Sequence, residues 1–180
     1  MIMIMCSELI DFLKAYPHRR RHVSAGSIMF HRDARVRNLY VVDSGVIELR
    51  RYTECGDALV LQRANGRSVL AEASIYTEHY HCDAVVTDAG TVLEFSKSKI
   101  FEAMEADPKL VRLWGAYLSA AILNARHRAE ILSRRSVSDR LDGWLAMNDG
   151  EMLAKGAWKQ IANEIGVTPE ALYREIAKRR

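Results

Sequence analysis

The sequence predicts an α+β protein: an antiparallel β-roll, then a long helix, then a small helical domain with a helix-turn-helix. Three observations lead there. Between Arg19 and Phe95 the apolar runs are short and β-branched, after Ser96 the spacing turns helical and stays so, and a glycine turn joins two short helices near the end. A length of 180 residues holds one full-sized domain and a small appendage, and a composition of 49% apolar and 27% charged residues buries a core rather than leaving the chain disordered.

In chain order, a short helix near Ser7–Tyr16 leads in. Strands are predicted at Ile28–Phe30, Leu39–Val42, Val46–Leu49, Ala58–Leu61, Ala84–Val86 and Thr91–Phe95. Turn signals at Ala25-Gly26, Asp43-Ser44-Gly45, Cys55-Gly56-Asp57, Asn65-Gly66 and Asp88-Ala89-Gly90 separate them, at spacings that suit successive hairpins of a closed unit. Closure removes the unpaired edges that strands this short present.

Ser96 or Ser98 caps a short helix running through Met104, and Asp107-Pro108 supplies an N-cap with proline at the first position of a helix reaching about Ser133. Along it Val111, Trp114, Leu118, Ala121, Ala125 and Leu132 alternate spacings of three and four, with Arg128 taking one place in the seam. Arg112, Asn124, Arg126 and His127 line a polar side. So narrow a stripe predicts a second copy of the same helix as its partner; packing on the β-roll is the alternative. The domain limits are 1–106 for the roll and its flanking helices, 107–134 for the dimerisation helix and 135–180 for the last domain.

That last segment predicts three helices, Ser136–Met147, Gly156–Ile165 and Thr168–Arg179. Gly166 takes positive φ and ends one helix, Val167 plugs inward, and Thr168-Pro169-Glu170 restarts the next with an N-cap and proline at N1. The final helix turns Ala171, Leu172 and Ile176 in and Glu170, Tyr173, Arg174 and Lys178 out, and those outward side chains are of types that read bases.

Several classes are excluded or disfavoured. No apolar stretch approaches the roughly 20 residues of a bilayer helix, and the N-terminal run lacks a signal peptide's basic region and cleavage site, so a soluble, cytoplasmic protein without membrane partners is expected. Cys6, Cys55 and Cys82 are widely spaced and odd in number, which predicts neither disulfides nor a zinc site. A net charge of +3 permits nucleic acid without arguing for it. No G-x-S-x-G, P-loop or H-E-x-x-H occurs, and Val85 and Val86 stand where a cupin-type His-x-His site needs its carboxylate, so no enzyme is predicted.

The order of roll, long helix and helix-turn-helix resembles the Crp/Fnr family of bacterial transcription regulators, whose sensory half is a cyclic-nucleotide-binding-type fold. The resemblance covers nearly the whole chain. It rests on Val23-Ser-Ala-Gly26, Asn38-Leu-Tyr-Val-Val-Asp-Ser-Gly-Val46, Ala71-Glu-Ala-Ser-Ile-Tyr76, Cys82-Asp-Ala84, Asp107-Pro108, Asp139-Arg140-Leu141 and Ile161 to Arg174. It implies double-stranded DNA, a homodimer, a small-molecule effector and RNA polymerase as partners. Thr168 and Pro169 match the family's helix start, and Glu170 and Arg174 its two base-reading positions; the alternative for that pair is a helical ion pair four residues apart. Lys155, Lys159, Lys178, Arg179 and Arg180 are phosphate candidates or solvated charge. Two departures stand out. The chain stops at Arg180, where the family continues into a β-hairpin wing, so the wing is expected to be absent or truncated; and Asp33-Ala34 replaces the usual Gly-Asp, implying a different local turn. A dimeric sensor or adaptor that has lost DNA binding is the alternative function.

The same resemblance sets an effector site at Glu72, Ala73, Cys82 and Asp83. Family members that bind a cyclic nucleotide place a Glu for the ribose and, ten residues on, an Arg for the phosphate and then a small hydroxyl residue. Glu72 matches the first, but Cys82 and Asp83 occupy the other two places and offer a phosphate no positive charge. Cyclic AMP is therefore not expected, Arg63 or Arg67 being the substitutes in view. His79, His81 and Cys82 invite a metal, yet on a strand the histidines share one face and the thiol takes the other. No metal is assigned, the cofactor is left unknown, and Cys6 alone cannot supply the cysteine cluster of the family's iron–sulfur branch. A redox role for Cys82 is disfavoured by the Asp83 beside it.

Overall fold

A computed structural model describes residues 2–56, 58–148, 150, 156 and 158–179, with side chains from residue 7 onward. Asp57, Lys155 and Arg180, singled out above, lie outside the described residues, as does the side chain of Cys6. The elements follow the predicted order. Helix α1 (Ile2–Leu13) precedes strands β1 (Arg19–Val23), β2 (Ile28–Phe30), β3 (Asn38–Tyr52), β4 (Ala58–Asn65) and β5 (Ser68–Leu70). A 3-10 turn at Glu72–Ser74 leads to β6 (Asp83–Ser96), then α2 (Lys97–Ala106), α3 (Pro108–Ser133), α4 (Val137–Met147), α5 (Trp158–Glu164) and α6 (Pro169–Lys178). Two compact units result, Met1–Ser119 and Ala120–Arg180, so that α3 gives its first half to one and its second half to the other.

The first unit is a single six-stranded antiparallel sheet in the order β1-β6-β3-β4, with β2 also on β6 and β5 on β3. Four of the predicted strands prove to be halves of two long ones. Asp43-Ser44-Gly45 and Asp88-Ala89-Gly90, expected as hairpin turns, lie inside β3 and β6, where the pairing shifts register between Val42 and Ser44, Ser44 and Val46, and Val46 and Ile47. Glycine and short polar residues relieve backbone at a bulge as well as at a turn, and only the partner strand distinguishes the two. The bulges face each other. A Cβ on Gly45 would fall 2.7 Å from the Asp88 carbonyl oxygen, and one on Gly90 would land on the Ser44 carbonyl and 2.7 Å from the Gly45 Cα.

Alternation sorts side chains to two cores. Tyr40, Val42, Leu70, Ala84, Val86 and Val92 fill the roll interior with Phe30, Tyr80 and Cys82, and the Phe30 and Tyr80 rings stack at 3.6 Å. Leu39, Val41, Val69, Leu93 and Phe95 face the other way, onto Leu9, Ile10 and Leu13 of α1, Ile100 and Ala103 of α2, and Leu110, Trp114 and Tyr117 of α3. Strands β1 and β5 were not predicted. Arg19-Arg20-Arg21-His22-Val23 carries too little apolar signal, though ion pairs from Arg20 to Asp43 (3.2 Å) and Arg21 to Glu94 (2.8 Å) stitch it to the sheet, and β5 has only three residues. Asp33 takes φ 64° and donates its N–H to Tyr80 O at 2.8 Å, so the departure at Asp33-Ala34 is a left-handed turn held by an aspartate in place of glycine.

In the second unit Ile131, Leu141, Trp144, Ile161, Ala162, Ile165, Leu172 and Ile176 form the core. Ser136 caps α4 by accepting the Asp139 N–H at 3.0 Å, and Thr168 caps α6 by accepting that of Ala171 at 3.2 Å. Gly166 has φ 65° at the turn between α5 and α6, and a Cβ there would meet Leu132 at 2.7 Å.

Gly90→Ala sets a methyl against backbone rather than against a side chain that could move. The variant is expected to lose on the order of 3 kcal/mol of stability or to fail to fold, read from its urea unfolding midpoint.

Candidate DNA-reading helix and effector site

The outward face of α6 is built as its sequence implies. Thr168 and Pro169 start the helix, Leu172 and Ile176 are buried, and Glu170, Tyr173, Arg174 and Lys178 are exposed on the opposite side. Glu170 and Arg174 form no ion pair with each other among the described residues, so the helical pairing that was their alternative role is not made. Tyr173 leans on Trp158 of α5, ring centroids 5.7 Å apart. The turn preceding α6 is held from α4, where Arg140 donates to the carbonyls of Ile165 (3.2 Å) and Gly166 (3.0 Å) and to that of Arg134 (2.9 Å). Arg179, one of the phosphate candidates, is engaged elsewhere: its guanidinium is bound by Asp142, Glu175 and Ser138.

The predicted dimer seam needs correction. Trp114 is 2% exposed, packed in the core beside Tyr117, and its indole N–H has no hydrogen-bond partner among the described residues. Leu110, Trp114 and Tyr117 are the stripe that faces the sheet, and the half-buried Ala121 continues its phase. Leu118 is half-buried against the same core, while Val111 and Ala125 are exposed. Ile122 is 52% exposed and Leu123 45%. The seam left open is therefore rotated by one residue at three places, to Val111, Gly115, Leu118, Ile122, Ala125, Ala129 and Leu132, still alternating four and three. The sequence has small or apolar residues at both 114–115 and 121–122, and the sheet's demand for the larger Trp114 decides the phase.

Of the four residues expected at an effector site, Glu72 and Cys82 are close enough to act on each other electrostatically. Glu72 opens the 3-10 turn after Ala71 (φ 57°) and accepts the Gln62 amide at 3.1 Å; burial pushes its carboxyl pKa up, while hydrogen bonding and the charge of His81 oppose the shift. Cys82 is fully buried in the roll interior, and burial, with the Asp83 and Glu72 charges, pushes its thiol up to about 11 against the pull of Arg51. Ala73 is exposed. Asp83 turns away, accepting the Arg32 N–H at 2.9 Å and lying 3.3 Å from the His31 ring, so it does not face the same space as the thiol.

Neither proposed substitute cation stands free. Arg63 pairs with the buried Glu48 at 3.4 Å beside Arg50, and Arg67 pairs with Asp11 at 2.9 Å. The residue that sequence reasoning missed is Arg51. With Arg50 registered against Asp83, Arg51 stands across the β3–β6 pair from Cys82, exposed and without an ion pair among the described residues. Its spacing from Glu72 in the chain gives no signal; only strand register does. Residues His79 to Cys82 form a loop rather than a strand, with His81 3.3 Å from the Ser74 hydroxyl, and no group of three metal-ligating side chains occurs among the described residues.

Cys82 keeps its proton in the fold to about 11, whereas an unfolded thiol loses it near 8.5. Between those values the native state binds more protons than the unfolded state, so stability falls as pH rises. Denaturant melts from pH 8 to 11 are expected to show a steeper loss for the wild type than for Cys82→Ala.

Comparison with known proteins agrees with this architecture. Residues 20–107 match the Cyclic nucleotide-binding domain family. The Nitrogen fixation regulation protein FixK of Bradyrhizobium diazoefficiens is 26% identical over 97% of this chain and 78% of its own length. The Anaerobic regulatory protein of Bacillus subtilis is 26% identical over 54% of this chain, a stretch spanning 41% of that protein. Among solved structures, FixK2 from Bradyrhizobium japonicum superposes with a TM-score of 0.71 at 16% identity, covering 91% of this chain and 84% of that one. No helix among the described residues is long and apolar enough to cross a membrane. With a cyclic nucleotide-binding domain match followed by a long helix and a helix-turn-helix, the chain is similar in fold and order of elements to regulators of the Crp/Fnr type.

Proposed function

We propose that this protein is a dimeric, sequence-specific DNA-binding transcription regulator, controlled by an effector other than cyclic AMP or by none, and not an enzyme. The observation that carries the reading is α6: Glu170, Tyr173, Arg174 and Lys178 share one exposed face, and the carboxylate and guanidinium four residues apart are not spent on each other. A free guanidinium donates two bonds to a guanine, and a free carboxylate accepts from a cytosine amino group. The seam Val111, Gly115, Leu118, Ile122, Ala125, exposed except at the half-buried Leu118, supports a second copy as partner. Two α6 helices related by a two-fold axis then enter successive major grooves about 34 Å apart, on a pseudo-palindromic site. RNA polymerase and a cytoplasmic setting follow from the same reading.

On the sensory side, a neutral buried thiol at Cys82 supports the absence of a cyclic-phosphate contact there. Arg51, across from it, is the cation in reach for an anionic effector that also meets Glu72 and Gln62.

A duplex enriched by the protein from a random pool tests the DNA reading. Arg174→Ala is expected to lose about 1–3 kcal/mol on that duplex and to relax preference at one base pair. Lys178→Ala is expected to weaken enriched and random duplexes alike and to flatten the salt dependence. Enrichment of no sequence would leave a sensor or adaptor without DNA binding.

Ile122→Glu tests the seam, because a residue 52% exposed in the single chain tolerates a charge there and an interface does not. Sedimentation is expected to give monomer with an unchanged circular dichroism spectrum; a variant that stays dimeric would move the interface elsewhere.

A further inference from the structure

Arg179 lies at the C-terminal end of α6, where its backbone N–H still bonds back to Ile176 O at 3.2 Å. Its guanidinium makes four hydrogen bonds. Nε donates to Glu175 Oε1 at 2.8 Å on the same helix; Nη1 donates to Asp142 Oδ1 at 2.5 Å; Nη2 donates to Ser138 O at 3.1 Å and Ser138 Oγ at 2.7 Å. That occupies four of the five donors a guanidinium has, in the planar fork that a lysine cannot reproduce. Two carboxylates neutralise the charge, and the Arg179 side chain is only 30% exposed. Arg179 is thus poorly placed to serve as the phosphate contact its position in the sequence suggested.

The acceptors come from α4. Ser138 and Asp142 sit four apart and so on one face of that helix. From the same helix Arg140 grips the carbonyls of Ile165 and Gly166, at the turn that launches α6. Between the two grips, α6 is seated on α4 and α5 chiefly by Leu172 and Ile176, one narrow stripe about which a helix can rock. Arg174 is five residues from Arg179, about 7.5 Å along the axis. A bidentate contact to a base tolerates roughly 0.5 Å and 10–20° of error.

We infer that the Arg179–Asp142–Ser138 clamp is a positioning device for the DNA-reading helix, setting the rotation of α6 so that Glu170 and Arg174 meet base edges while Arg179 itself touches no phosphate. The inference rests on the DNA-binding reading above and assigns a role within it. Loss of the clamp costs specificity more than general affinity, because a rocking helix still presents Lys178 to phosphate but no longer holds Arg174 in register with a base.

Fluorescence anisotropy across a salt series tests this with two probes, the duplex enriched by the wild type and an unselected duplex of equal length. Arg179→Ala is expected to lose tenfold or more on the enriched duplex, to change less than twofold on the unselected one, and to keep the wild-type salt slope. The charge-swapped pair Arg179→Glu with Asp142→Arg is expected to recover at least a third of the lost selectivity. Amide exchange on the free protein should show α6 amides opening faster in Arg179→Ala while those of α5 stay protected. A salt slope reduced by about 0.9, with equal loss on both probes, would make Arg179 a phosphate contact and overturn the inference. Unchanged selectivity in Arg179→Ala would overturn it too, leaving the clamp a matter of stability alone. If the wild type enriched no sequence, the DNA-binding reading would fall and take this role with it, and that failure is read from the wild type before any variant.

Discussion

Two glycine backbones, Gly45 and Gly90, cross so closely that neither position admits a Cβ. Much of the first unit depends on that crossing. Strands β3 and β6 run through it as long continuous ladders, 15 and 14 residues, and the bulges they share change which side chains face inward. On β3 the inward residues are Tyr40 and Val42 before the crossing and Ile47 and Leu49 after it, a switch from even to odd positions. The extra residue that a bulge inserts also bends the strand and steepens its twist. A sheet that would otherwise lie open folds over, and one interior takes side chains from both halves of each long strand.

The roll so formed dictates the phase of α3. Its outer side needs a large apolar cover beneath Leu39, Val41, Leu93 and Phe95, and Leu110, Trp114 and Tyr117 supply it. Whatever else the helix does is left to the stripe one residue round, where Val111 and Ile122 are about half exposed. With the second copy proposed above, the helix would serve a core on one side and a regular apolar seam on the other. The core, being intramolecular, takes first choice.

The residues of the proposed effector site follow the same logic of strands rather than of sequence neighbours. Cys82 and Asp83 are adjacent in the chain but point to opposite sides, one into a stacked aromatic interior and the other to the backbone of Arg32. Glu72 and Gln62 are ten residues apart and in contact. Arg51 and Cys82, thirty-one positions apart, are brought near each other by the pairing of Arg50 with Asp83. In the second unit α4 plays the part that the long strands play in the first, gathering Gly166 and Arg179, at either end of α6, onto residues 138 to 142.

Local sequence suffices for the order of elements, the change from strand to helix after Ser96, the caps at Ser136 and Thr168, the glycine turn at Gly166, and the inner and outer faces of α6. All of these depend on residues within a few positions of one another: a cap reaches three residues, a helix face repeats every three or four, and a left-handed turn needs one glycine. Strand β1 escaped notice because its arginines find their partners, Asp43 and Glu94, far along the chain. Whether Asp43-Ser44-Gly45 reverses the chain or only bends it was decided by the strand opposite. The phase of the α3 stripe was decided by what the sheet required of Trp114, and the surroundings of Arg51 and Arg179 by neighbours 31 and 37 residues away. Each turns on pairing between distant segments, where local preference is silent and the packed structure alone selects which of two equally compatible arrangements is occupied.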